Sequence, residues 1–328
     1  MALPHSTAWI RRIFALYAAE ERRAYHGEMV ACVVVNWNGW RDTIACLRTL
    51  TEQTVPLEVI VVDNGSSNDS VARIKAFLAE VAHCQVSITL IEHTENGGFA
   101  KGTNIGIRVA MERDAEFVWL LNNDTECPPD TLAKLLREAG GNPGIGIVGS
   151  VLYYHHDPTK VQAWSGGRIN PLLGTSIHYY APTEQIRHSY TTFASVLIRT
   201  AVLRQIGLLY EGFFMYYDDS DLCLRMERTP WKIAVAADTA VLHKESASTD
   251  GPRNPFMEKT IAVSGMRFLR MHSPFFALSL PLFLGIKLLN RARRGEWAAC
   301  RAVLVAIAEF SRTPLPPPPI PEMTRPNR

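Results

Sequence analysis

Three apolar or aromatic runs in this chain each end on an acidic residue. They are Val59-Ile60-Val61-Val62-Asp63, Phe117-Val118-Trp119-Leu120-Leu121 followed by Asn122-Asn123-Asp124, and Phe213-Phe214-Met215-Tyr216-Tyr217 followed by Asp218-Asp219. A strand that is apolar along its whole length is buried on both faces of a sheet. A carboxylate at its C-terminal end then reaches the crevice at the sheet's edge. Three carboxylates converging there can hold a nucleotide, a divalent metal and a proton.

The segments between these runs set the fold class. Residues 31–35 read as a short strand, followed by a helix from about Asp42 with Ile44, Leu47 and Leu50 on one face. Residues 58–62 form the next strand. The loop from Asp63 to Asp69 has turn chemistry and supplies a cap for a helix bearing Val71, Ile74, Phe77, Leu78 and Val81. Residues 87–91 and 117–121 are further strands, with a helix between them starting near Thr103. Pro128-Pro129-Asp130 opens another helix, and residues 145–152 read as a strand. This alternation predicts an α/β fold, a mostly parallel central sheet with helices on both faces. Residues 154–190, rich in Gly, Pro, His and aromatics, predict a loop-rich insertion suited to contacts with an acceptor molecule. Residues 192–198 and 233–237 return to strand character.

With 328 residues, 47% of them hydrophobic, the chain can bury one large core or two modest ones. Its net charge of +2 is too small to argue for nucleic acid as a partner. The six cysteines are scattered with no CxxC pair, the pattern of reduced thiols in a cytosolic protein. No secretory signal is visible, since Arg11 and Arg12 interrupt the first apolar stretch. Residues 1–28 read as an amphipathic helical extension, with Trp9, Ile10, Ile13, Phe14 and Tyr17 on one face. The main domain is expected over 29–253, amphipathic C-terminal helices over 254–312, and a Pro-rich disordered tail over 313–328.

The apolar run 274–289 is shorter than the roughly 20 residues a spanning helix needs. Arg267, Arg270, Lys287, Arg291, Arg293, Arg294 and Arg301 surround it, against Glu296 alone. That composition suits a helix lying on an anionic membrane surface, peripheral on the inner face of the cytoplasmic membrane. A helix pair packed on the core is the alternative.

Individual positions carry both a chemical and a structural meaning. Asp63 suits a base N–H or ribose hydroxyl, or caps the next helix. Asn96-Gly97-Gly98-Phe99-Ala100-Lys101-Gly102-Thr103-Asn104 joins a strand to a helix, and its amides suit phosphate or sugar oxygens. Lys101 is a phosphate contact or a solvated side chain. Asp124 can be the single carboxylate on a divalent cation whose other oxygens come from phosphate and water, with Asn123 on the ribose or sugar. Adjacent Asp218 and Asp219 raise one another's pKa, which makes Asp219 a usable base; the same acids also favour a helix start. Asp221 is spaced to pair with Arg225. His243 could join a metal, and Lys244 could offset diphosphate charge. No GxSxG elbow, Walker loop or HExxH helix is present.

In this order the motifs resemble the inverting glycosyltransferases of family 2, with the GT-A nucleotide-diphospho-sugar transferase fold, and within them the rhamnosyltransferase-like branch. The resemblance covers about residues 30–249 and rests on Val33-Val34-Val35-Asn36-Trp37-Asn38, Val62-Asp63-Asn64-Gly65-Ser66, Asn96-Gly97-Gly98-Phe99-Ala100, Leu121-Asn122-Asn123-Asp124-Thr125 and the stretch 213–225. It implies that Val35, Asn36, Asn38, Asp63, Gly98, Lys101, Asn104, Asn122 and Asn123 contact the donor. Asp124 and His243 would hold Mg²⁺ or Mn²⁺, Lys244 would lie at the diphosphate, and Asp219, beside Asp218, would be the base. The family's Glu-Asp at the base is Asp218-Asp219 here, and the Gln-x-x-Arg-Trp signature of processive synthases is absent. The implied reaction is metal-dependent, non-processive transfer of one sugar, rhamnose or similar. It would run from a dTDP- or UDP-linked donor to a glycan or lipid-linked acceptor, in polysaccharide or cell-envelope biosynthesis. A nucleotidyltransferase or sugar-nucleotide pyrophosphorylase, or a silent sugar-nucleotide-binding module, are the alternatives.

Overall fold

The computed structural model describes residues 29–84, 86–182, 189–244 and 254–313. The expected N-terminal helix, residues 245–253 and almost all of the Pro-rich tail lie outside them. The strands are β1 (Val30–Asn36), β2 (Glu58–Asn64), β3 (Ser87–His93), β4 (Phe117–Asn122), β5 (Thr125–Glu126), β6 (Ile145–Tyr154), β7 (Asp157–Trp164), β8 (Gly166–Asn170), β9 (Thr175–His178), β10 (Tyr190–Thr191), β11 (Ser195–Arg199) and β12 (Lys232–His243). The helices are α1 (Trp40–Thr51), α2 (Ser70–Glu80), α3 (Phe99–Glu112), α4 (Thr131–Gly140), α5 (Thr200–Ile206), α6 (Asp218–Glu227), α7 (Pro255–His272), α8 (Phe276–Arg293) and α9 (Trp297–Arg312).

The central sheet runs β3-β2-β1-β4-β11-β6-β12-β5, with β7 beside β6. Pairing is parallel from β3 to β4 and between β6 and β12, while β11 lies antiparallel between β4 and β6. The sheet is therefore mixed, parallel in the half built by the βα units. Alternate residues of the apolar strands feed two cores. Cys32, Val34, Val59, Val61, Trp119 and Leu121 pack with α1, α2 and α4. Val33, Ile60, Val62, Val118 and Leu120 pack with α3, α6 and Phe268 of α7. Burial on both faces explains why these strands read as unbroken apolar runs.

The stretch 154–190 is not the loop insertion its composition suggested. It contains β7 and a small sheet of order β10-β8-β9. β8 is short and opens on two glycines, and β9 is short and exposed throughout, so neither shows the apolar alternation that marks a strand in sequence. Helix α3 begins at Phe99, four residues before the expected start. Gly98 adopts φ +85°, and Phe99 N–H donates to Phe214 O (2.7 Å), which satisfies one of the helix's orphan donors.

The C-terminal helices pack as a bundle. Met266 and Leu269 of α7, Phe283 of α8 and Val303 and Ala306 of α9 form a third core, and Phe268 joins α7 to the main one. Packing on the core is thus the observed state of α7. The outward face of α8 remains apolar and exposed at Leu278, Leu282, Ile286 and Leu289.

Candidate active site

The C-terminal ends of β1, β2 and β4 lie side by side, with Asn36 opposite Asp63 and Val35 opposite Asn122. Asp63 is buried, and its carboxylate accepts from Asn36 Nδ2 (2.6 Å), Ser66 N (3.0 Å) and Ser66 Oγ (2.7 Å). Asn36 Oδ1 accepts from Thr43 Oγ1 (2.8 Å), which accepts from Asn123 Nδ2 (3.0 Å). Asn38, in the left-handed region at φ +55°, donates its N–H to Ser66 Oγ and accepts from Ser67 N. A continuous polar network therefore joins Asp63, Asn36, Asn38 and Asn123 at the sheet's edge. Asp63 orients its own loop and does not cap α2; Asn68 Oδ1 accepts from Ser70 N (3.0 Å) at that helix's start.

A tight turn carries Asp124 from the end of β4 into β5, which pairs with the end of β12 through His243 opposite Thr125. This places His243 Nε2 3.3 Å from Asp124 Oδ1, with both side chains mostly buried. Asn122 Nδ2 lies 3.4 Å from the same nitrogen, and Gln162 Oε1 lies 2.7 Å from Nδ1. One oxygen and one nitrogen donor at this separation suit adjacent positions on a single Mg²⁺ or Mn²⁺ ion. Among the described residues no cluster of three His, Cys, Asp or Glu forms a closed site. The donor set thus fits a metal that takes its remaining ligands from diphosphate and water.

Lys244 is engaged by Asp42 (2.7 Å) and Glu126 (3.6 Å). Partial burial works to lower its pKa, but the hydrogen bond and charge of Asp42, with Glu126, raise it above the ordinary lysine value. Its charge is offset by these carboxylates beside the Asp124 turn, where its backbone N–H donates to Asp124 O (3.1 Å).

The third acidic group begins α6. Tyr216 and Tyr217 precede it in left-handed conformations, φ +71° and +69°. Such backbone costs about 1–3 kcal/mol per residue and persists where surrounding contacts hold it. Those contacts come from several elements. Tyr217 OH donates to Gly174 O (2.7 Å), Ser264 Oγ to Met215 O (2.8 Å), and the Arg267 guanidinium to Gly212 O. Asp219 is partly buried, and that burial pushes its carboxyl up to about 6, against hydrogen bonds from Ser220 N and Oγ. Asp218 is almost fully buried and sits well above the carboxylate range, through burial and then the Asp219 charge. Asp221, fully buried, is held below it: Arg225 and His272 (2.8 Å) outweigh the cost of burial. The expected Asp221–Arg225 pair forms at 2.9 Å.

Segment 190–194 links this group to the β4 end that carries Asn122 and Asp124. Burial and the nearby Asp219 charge push the Tyr190 phenol up, and four residues on Ala194 O accepts the N–H of Asn122 (3.0 Å).

Three expected donor contacts have other partners. Asn104 is buried and spends its amide on Leu209 N and O and Glu211, bracing the chain before the aromatic run. Gly98 lies against the Phe214 carbonyl, where a Cβ would collide. Lys101 pairs with Glu95 at 2.8 Å. A buried asparagine and a glycine-rich loop look alike in sequence whether they face ligand or protein. Conversely, Thr43, which joins Asn36 to Asn123, and Gln162, which contacts His243, carry no motif that marks them.

Comparison with known proteins places the family and the fold. The family described as Glycosyl transferase family 2 matches residues 31–206, which ends before Asp218 and Asp219. Galactofuranosyltransferase GlfT1 of Mycobacterium tuberculosis is 25% identical over 66% of this chain and 70% of its own length. The dTDP-rhamnosyl transferase RfbF of Shigella flexneri is 24% identical over 79% of this chain and 83% of its own. Among solved structures, mannosyltransferase PcManGT of Pyrobaculum calidifontis, in complex with GDP-Man and Mn²⁺, superposes with a TM-score of 0.53 at 17% identity. That match covers 90% of this chain and 82% of the mannosyltransferase, and it shows the shared GT-A fold. The chain belongs to glycosyl transferase family 2 and is a glycosyltransferase of the hexosyltransferase type.

Proposed function

We propose that this enzyme is an inverting, non-processive transferase that moves one sugar, rhamnose or a similar hexose. The donor is a dTDP- or UDP-linked sugar, and the acceptor is a hydroxyl of a glycan or lipid-linked glycan in cell-envelope polysaccharide assembly. The observation that carries this reading is the proximity of Asp124 Oδ1 and His243 Nε2 at 3.3 Å. A partly buried carboxyl with a pKa near 6, Asp219, accompanies it.

Asp63 and the Asn36–Asn38 network hold the nucleoside, with Asn122 and Asn123 toward the ribose and sugar. Asp124 and His243 hold Mg²⁺ or Mn²⁺, which when bound neutralises charge developing on the leaving diphosphate. Asp219 takes the proton of the acceptor hydroxyl as its oxygen bonds to the anomeric carbon. The bond from that carbon to the diphosphate oxygen breaks on the opposite face, so configuration inverts. Asp218, whose carboxyl is pushed up by burial and then by the Asp219 charge, leaves Asp219 the more readily ionised of the adjacent pair. The solved mannosyltransferase with GDP-Man and Mn²⁺ supports the metal, and RfbF supports the dTDP-rhamnose donor.

The enzyme works as a peripheral protein on the anionic inner face of the cytoplasmic membrane. Among the described residues no helix is long and apolar enough to cross a membrane. The exposed face of α8, with Leu278 at 72% exposure, and Trp297 of α9 supply apolar contact. Exposed Arg293, Arg294 and Arg301 supply complementary charge.

The test is a panel of nucleotide sugars with Mn²⁺ and glycan and polyprenyl-linked acceptors, reading released nucleoside diphosphate and the product's anomeric configuration by NMR. One donor giving an inverted product supports the reading. A retained configuration, or no turnover with any donor, contradicts it.

A further inference from the structure

The contacts of His243 define more than its distance to Asp124. Gln162 Oε1 lies 2.7 Å from Nδ1, and an amide oxygen only accepts, so Nδ1 carries the proton. The other nitrogen is approached by an amide donor, Asn122 Nδ2, at 3.4 Å, which is compatible with a lone pair on Nε2. That lone pair faces Asp124 Oδ1 at 3.3 Å, an arrangement that favours a shared cation.

Gln162 reaches this position through an irregularity of the sheet. Val161 stands opposite Tyr153 and Ala163 opposite Leu152, so Gln162 is the extra residue of a β-bulge in β7. Bulges beside functional sites re-aim single side chains. Gln162 is 9% exposed, and His243 is two strands away across β6. The bulge thus brings Gln162 to an imidazole 81 residues away in sequence.

We propose that Gln162 is a positioning residue of the metal site. Its amide oxygen holds the His243 ring in the Nδ1–H tautomer, so that Nε2 faces Asp124 and binds Mg²⁺ or Mn²⁺ with it. The inference rests on the metal-dependent reading of the site. A hydrogen-bonded partner on the non-ligating nitrogen fixes ring orientation and raises ligand basicity, and its loss typically weakens metal binding about 10- to 100-fold.

The experiment is Mn²⁺ titration of the full chain by electron paramagnetic resonance, alone and with UDP or dTDP. It compares wild type, Gln162→Leu, Gln162→Glu and His243→Ala. Gln162→Leu is expected to weaken Mn²⁺ binding about 10- to 100-fold, leaving metal-free nucleotide affinity within a few-fold. Gln162→Glu, whose carboxylate accepts the same Nδ1–H, is expected to restore binding to within a few-fold of wild type or better. Nitrogen-15 NMR is expected to report the Nδ1–H tautomer of His243 in wild type and a tautomer mixture in Gln162→Leu.

Wild-type Mn²⁺ affinity in Gln162→Leu, or an Nε2–H tautomer in wild type, overturns the proposal while leaving the metal site intact. Equal weakening by Leu and Glu, with equal loss of thermal stability, assigns Gln162 to packing and overturns it as well. Unchanged affinity in His243→Ala, or no Mn²⁺ binding by wild type under any condition, overturns the metal assignment and the proposal with it.

Discussion

Asn36 and Asp63 stand directly opposite each other at the ends of β1 and β2, and Asn36 Nδ2 donates to Asp63 Oδ2 at 2.6 Å. The bond fixes a buried carboxylate, which on the proposed reading accepts from the donor's nucleoside. Asn36→Ala is expected to leave Asp63 under-satisfied and to weaken nucleotide binding by about 1–2 kcal/mol, roughly 5- to 30-fold. Calorimetric titration with the cognate nucleoside diphosphate checks this; unchanged affinity removes the pair from the binding site.

Asp219 sets the pH dependence. It must be ionised to accept a proton, so kcat/KM is expected to rise with pH through about 6 and then level off. The stability effect has the opposite sign. The folded state holds this proton more tightly than the unfolded chain, so the contribution is present below the ordinary carboxylate pKa and lost as pH rises through about 6. Asp219→Asn is expected to lower kcat by about 10²-fold or more, keep nucleotide affinity within a few-fold, and raise the melting temperature at about pH 7.5 more than at about pH 4. Wild-type turnover in this variant removes Asp219 from the base role.

Gly98 holds the segment leading to Asp219 from a distance. At φ +85°, packed on the Phe214 carbonyl, it admits no side chain. Gly98→Ala is expected to displace the 213–219 segment, reducing kcat with a stability loss of about 1–3 kcal/mol. Denaturant unfolding and turnover measured together check it, and an unperturbed variant contradicts the packing argument.

The outward face of α8 is expected to bind anionic lipid. Replacing Leu278, Leu282 and Ile286 together by serine removes exposed apolar side chains without touching the core beneath them. The triple variant should bind phosphatidylglycerol vesicles at least about tenfold more weakly in flotation assays, while soluble-acceptor turnover persists. Unchanged flotation contradicts the membrane assignment of this face.

The sheet, Asp63 and Asp124 were legible in the sequence because buried parallel strands must be apolar throughout, and a charge at their end then stands out; the aromatic run 213–217 is no strand, and Asp218 and Asp219 instead begin α6 after two left-handed tyrosines. Asp63 and Asp124 could be placed at the crevice on that ground alone. Asn104 could not: its partners Leu209 and Glu211 lie more than 100 residues away, and nothing local separates a buried bracket from a ligand contact. Gln162 was illegible for a related reason. It lies on a short strand without apolar alternation, and its role arises from a bulge and a partner on another strand. Packing of α7 on the core, fastened by Ser264 and Arg267 to Met215 and Gly212, likewise depends on tertiary contacts that periodicity does not encode.

The pairing of Asp124 with His243 is tested most directly by calorimetric titration of UDP, dTDP and GDP into wild type and Asp124→Asn, with and without Mn²⁺. One nucleotide should bind wild type at least about tenfold more tightly with Mn²⁺, and Asp124→Asn should lose that gain while keeping the metal-free affinity. Equal affinity with and without metal in wild type, or a full Mn²⁺ effect in Asp124→Asn, would contradict a metal–diphosphate site at this pair.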